Sequence, residues 1–184
     1  MKKIYSLISV LLIATVAISC GILKPAPAPK VLNLALVGSV QSNKFINLDY
    51  GIRLSVKDAR ANTKVLQKYD ASATYLPQVS VAPDVYSFVS ESSRRYMRTI
   101  GFNLDADVAT DYMMTLTINE YNVSFLSGIG WAAVVELGIE VYDNHRQLVY
   151  PNVSAVGRAN LQGSAYDFNA ASHVLNKAYA SALA

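Results

Sequence analysis

The chain has 184 residues, of which 52% are hydrophobic and 16% charged, with 16 Lys and Arg against 13 Asp and Glu for a net charge of +3. That composition excludes a disordered chain, and so slight a positive excess gives nucleic acid nothing to grip. One cysteine and two histidines exclude a disulfide framework and a clustered zinc site.

The first nineteen residues have the form of an export signal. Lys2 and Lys3 precede an uncharged apolar stretch from Ile4 to Ile18, broken only by Ser6, Ser9 and Thr15. It has the length of a signal-peptide core and falls short of the roughly 20 apolar residues of a membrane span. Ala17-Ile18-Ser19-Cys20 then sets a small residue directly before the only thiol. This resembles the bacterial lipobox, in which the cysteine is acylated and becomes the first mature residue. Each buried methylene contributes about 0.8 kcal/mol, so two or three acyl chains make a lasting anchor. Cys20 is therefore the expected lipidation site and the membrane the first expected partner. Without Lys2 and Lys3 the mature chain carries 14 basic and 13 acidic residues.

Lys24-Pro-Ala-Pro-Ala-Pro-Lys30 reads as a short stiff tether, so the expected division is signal 1–19, lipidated cysteine and tether 20–30, and one domain 31–184. Leu32, Leu34 and Leu36 alternate as in a strand. Ile52, Leu54 and Val56 do so more clearly, opposite Arg53, Ser55 and Lys57, and Asp58 to Asn62 ends that strand. Residues 64–81 suggest two short strands. A helix follows, with Pro83 at its first position, Asp84 at its positive end, Gly101 as its left-handed stop and Phe102 packing back. Val85, Phe88, Val89, Ser92, Tyr96 and Ile100 form its inward stripe.

Tyr112, Met114, Leu116 and Ile118 then alternate, and the phase slips to Tyr121, Val123 and Phe125, as a bulge near Asn119-Glu120 would require. Ser127 to Gly130 turns the chain. Trp131, Ala133, Val135, Leu137, Ile139 and Val141 line a buried face, which places Trp131 in the core. Asp143 to Arg146 turns it again into a strand that Pro151 marks as an edge. From about Phe168 an Ala-rich helix turns Val174, Leu175, Ala178, Tyr179 and Leu183 inward. The expected fold is α+β, with one largely antiparallel sheet and two helices packed on one face.

The segments "IRLSVKDARAN", "VAPDVYSFVSESSRRYMRTIGF", "LTINEY" and "VVELGIEVYDNHRQLVY", with the Ala-rich end, resemble the YajG-like family of bacterial lipoproteins. The resemblance spans the chain from about Leu32 onward and implies a membrane-tethered, periplasm-facing α+β domain without an assigned activity.

Candidate sites are few. Asp58 and Arg60 stand at a strand end, where an Asx-type turn with an Arg–carboxylate pair is the plain structural role. Arg94, Arg95 and Arg98 form a basic patch, either a contact for anionic headgroups, cell-wall polymer or an envelope protein, or a solvated face with a Glu91–Arg95 pair. His145 and His173 lack ligand spacing, and "SGIGWAA" lacks the third glycine of a phosphate loop. No catalytic, cofactor or metal site is expected. Three classes of function follow: a non-catalytic binding or scaffolding lipoprotein of the envelope, an auxiliary lipoprotein of lipid or glycan transport, and, disfavoured by the residue inventory, an enzyme. Gly21 behind the cysteine favours the outer membrane.

Overall fold

The computed structural model describes residues 28–36, 51–70, 78–104 and 110–184. The signal core, Cys20 and most of the tether lie outside them. In chain order the elements are β1 (Lys30–Asn33), β2 (Gly51–Asp58), β3 (Leu66–Tyr69), β4 (Val79–Ala82), α1 (Val85–Thr99), β5 (Thr110–Leu126), β6 (Gly130–Asp143), β7 (Leu148–Leu161) and α2 (Phe168–Leu183).

Among the described residues the main sheet has five strands in the order β2–β5–β6–β7, with β3 added to β5 beyond the end of β2. It is mixed, which corrects the antiparallel expectation. β5–β6 and β6–β7 are antiparallel hairpins, whereas β2 and β3 both run parallel to β5. Side-chain alternation is the same in either direction, so it could not report this. What makes β2 and β5 parallel is the crossover through α1 between them. β1 and β4 form a second, two-stranded parallel sheet.

β5 carries the inferred bulge. Ile118 pairs with Leu137 and Glu120 with Glu136, which leaves Asn119 as the extra residue. The slip returns Tyr121, Val123 and Phe125 to the face already held by Leu116 and Ile118, and that face is the core. Both helices cover it. Phe88 of α1 and Tyr121 of β5 each pack on Tyr179 of α2, with ring centres 5.1 and 6.0 Å apart. At the other end Trp131 lies fully buried against Phe125 and Phe168, and its indole N–H donates to the Ser164 carbonyl at 3.0 Å.

The cap of α1 is Asp84, whose carboxylate accepts from the Ser87 amide at 2.9 Å. Pro83 therefore precedes the cap instead of opening the helix, because an aspartate that reaches the third helical amide must itself stand at the boundary. At the other end Gly101 takes φ 98°, its N–H donates to Arg98 and that of Phe102 to Met97, the paired bonds of a Schellman stop. The inward stripe is also rotated. Ser93 and Met97 are buried where Tyr96 and Ile100 were expected, and those two are only half-buried. The Tyr179 hydroxyl draws both Ser92 and Ser93 toward α2, which sets the rotation of the helix.

α2 is buried nearly all round because β1 runs along its far side. Ser172 accepts from the Asn33 amide, and the Asn176 side chain accepts from the Ala35 amide and donates to the Asn33 carbonyl. Against the sheet the helix approaches β7 at Gly157, where a Cβ would lie 1.9 Å from the Ala178 carbonyl oxygen. Only glycine fits there.

Candidate functional site

Asp58 ends β2, and the chain turns sharply behind it. The Asp58 carboxylate accepts from the Arg60 amide at 3.2 Å, an Asx turn, and then takes the Arg60 side chain in a fork of 2.9 Å from Nε and 2.7 Å from the terminal nitrogen. The Arg60 side chain is only 7% exposed. Its bond with Arg60 holds the Asp58 carboxyl below the usual carboxylate range, against the weaker opposing pull of burial. Both carboxylate oxygens are thus engaged by a permanent cation, an arrangement that steadies a turn and supplies no general base.

Behind this pair lies a polar group in the core that the sequence reading missed. The Tyr179 hydroxyl sits 2.7 Å from Ser92 Oγ and 3.1 Å from Ser93 Oγ, all three residues buried. Tyr121 is also buried, and among the described residues its hydroxyl has no hydrogen-bond partner; neither has the second terminal nitrogen of Arg60. Burial raises both phenols, Tyr121 well above the ordinary tyrosine value, with the neighbouring Tyr179 adding to the rise and the Arg60 charge opposing it. Both rings therefore stay protonated at physiological pH and act as hydrogen-bonding groups rather than as nucleophiles. The available signal was the adjacent Ser92-Ser93 on a helix otherwise apolar inward, since two serines there demand a polar partner from elsewhere in the fold.

The three arginines of α1 divide. Arg94 turns back and donates to the Leu54 carbonyl of β2 at 3.0 Å, half-buried. Arg95 lies 3.7 Å from Glu91, both largely in solvent, and Arg98 stands exposed in the last turn. A shallow hollow of about 460 Å³ opens beside Glu91, Arg94, Arg95, Arg98 and Thr99. His145 sits on the β6–β7 turn and His173 on the outer side of α2, both exposed. Among the described residues no three of His, Cys, Asp and Glu gather as metal ligands. A larger hollow, about 640 Å³, lies between β3 and β4 and is lined by Pro29, Thr63, Val65, Gln78 and Val79 among others.

No family model and no curated protein matches the chain. Its fold is shared with solved structures. Protein XCC0632 from Xanthomonas campestris, assigned to family DUF330, aligns with a TM-score of 0.59 at 12% identity, over 84% of this chain and 90% of that one. A second crystal structure, of an uncharacterised protein, aligns with a TM-score of 0.53 at 13% identity, over 84% and 94%. Lipoprotein GNA1162 from Neisseria meningitidis aligns more loosely, with a TM-score of 0.41 at 12% identity over 62% and 86%.

Proposed function

We propose that this chain is a bacterial lipoprotein, held by an acylated Cys20 at the outer membrane and facing the periplasm, whose domain acts by contact and not by catalysis. The observation that carries the reading is the position of the only cysteine, directly behind an uncharged apolar core and Ala17-Ile18-Ser19 and ahead of a Pro-Ala tether. The resemblance to YajG-like lipoproteins supports it, and so does the kind of polar chemistry inside the domain. Asp58 is closed on Arg60, and Tyr179 on Ser92 and Ser93, so these groups hold the fold together. Among the described residues no helix is long and apolar enough to cross a membrane. A tether of this kind confines a domain near one surface and raises its effective concentration there without any new contact.

A role in lipid or glycan transport calls for an apolar cleft between sheet and helices. That space is filled by Val89, Tyr121, Leu175 and Tyr179, none more than 1% exposed. Contact at the surface of the domain is the better-supported role.

Intact mass of the protein from native membranes tests the anchor. The expected chain begins at Cys20 and carries acyl groups, and an unmodified Cys20 in the mature protein ends the proposal. A version starting at Val31 behind an ordinary secretory signal tests placement. It should fold and bind its partner in vitro yet fail to replace the native protein in cells. Full rescue at native expression would show that anchoring is dispensable.

A further inference from the structure

We infer that the free edge of β7 is a homotypic interface, on which a second copy of this chain adds its own β7 antiparallel about a twofold axis at Gly157. The inference is independent of the anchor. Among the described residues β7 pairs only with β6, so its outer backbone groups have no strand partner there within the main sheet. Natural edges of this length are blunted by charge, by proline or by a covering segment, because they otherwise recruit another strand. β7 has Pro151 and irregular pairing near Val141 at its start, and from there to Leu161 a single charge, Arg158.

Its side chains are those of an interface. Ten large apolar side chains are exposed among the described residues, and six belong to β7: Leu148, Val149, Tyr150, Val153, Val156 and Leu161, at 40–54%. Together they present on the order of 500 Å² per chain, more than half of the ~800 Å² that each partner gives to a standard interface.

The register follows from charge and shape. With Gly157 on the axis, Val153 faces Leu161 of the second copy, and both point to the helix-covered side of the sheet, as Ile139 and Trp131, which pair with them, do. Val156 faces Arg158 of the copy. One strand further in lies Glu136, the β6 partner of Val156, itself directly opposite Glu120 of β5. Those two carboxylates have no ion-pair partner among the described residues. The copy's Arg158 crosses Val156 to reach them, and the same register keeps the two Arg158 side chains from facing each other. α2 rides over β6 and β7, so the axis sets it roughly 10 Å from its counterpart, a normal helix-packing distance.

The full chain, extracted and purified in detergent, is measured by sedimentation at tens of micromolar, with tryptophan emission as the check on folding. Wild type should be a dimer. V156K should weaken association at least tenfold while Trp131 emission stays that of the folded domain. R158E should weaken it as well, and E136R combined with R158E should recover most of the loss, a rescue that non-specific apolar contact cannot produce. A wild-type monomer overturns the inference, as does a dimer that V156K and R158E leave intact. Monomeric protein that binds phospholipid vesicles through β7, and loses them in V156K, assigns the edge to lipid and overturns it too.

Discussion

One side of the main sheet ends in β2 and β3 and the other in β7, and β2 and β7 are finished differently. At β2 the Ile52 amide donates to the Asn103 carbonyl at 2.9 Å, and the Leu54 carbonyl accepts from Arg94 at 3.0 Å, so α1 and the chain behind it close the edge. Its outward side chains are Arg53, Ser55 and Lys57, polar and well hydrated. Among the described residues β7 lies against no further strand of the main sheet, and it exposes valine, leucine and tyrosine. An edge closed from within needs no partner, whereas an open apolar one invites strand addition.

The largest effect should come from undoing the support of β7 itself. Gly157→Val drives a side chain into the Ala178 carbonyl and the Ala182 amide of α2, and should cost about 3 kcal/mol in urea unfolding. A loss below 1 kcal/mol would mean that α2 is not what positions this edge.

Opening the β2 edge should cost less. Arg94→Met leaves the Leu54 carbonyl without its cationic donor, a loss of about 1.5 kcal/mol. Hydrogen exchange should quicken along β2 and stay unchanged along β7. Equal quickening at both would break the distinction between them.

Asp58→Asn should cost about 1 kcal/mol at neutral pH, because it removes half of the fork that holds a buried guanidinium. The dependence on pH has a definite sign. The Asp58 carboxyl is depressed in the folded chain, so its stabilisation is complete above the unfolded aspartate value of about 3.9 and fades as pH falls through the folded value. Wild type and variant should therefore converge in stability as pH falls below the folded value. A constant difference across the acid range would contradict the fork.

The smallest effect belongs to Arg95→Ala, one residue from Arg94. Its pair with Glu91 is long and solvent-exposed, and its loss should change stability by about 0.3 kcal/mol and vanish in high salt. An effect matching that of Arg94 would show that the two share one role.

Much of the fold is visible in short windows of sequence, and the limits are instructive. The bulge at Asn119 announces itself as a phase slip between Ile118 and Tyr121, since one extra residue moves every later side chain to the other face. The α1 stop is equally local, because Gly101 and Phe102 bond back to Arg98 and Met97 within one turn. The candidate site is less visible. Asp58 and Arg60 lie two residues apart and their pairing is suggested by spacing alone. Tyr179, by contrast, meets Ser92 from 87 residues away, and nothing near Ser92 reports which side chain will arrive.

By itself, then, the sequence determined what depends on near neighbours: the order of strands and helices, the α1 stop, the turns, the strand faces and the lone cysteine behind an apolar core. Each rests on backbone geometry or periodicity within a few residues, where the chain has little choice. Only the tertiary structure decided which strands run parallel, which α1 residues face Tyr179, and which edge is left open. Those outcomes depend on contacts between distant segments. An alternating strand buries the same side chains whichever neighbour it takes, so its partner and direction are set by the crossover through α1 and by the packing of α2 on Gly157.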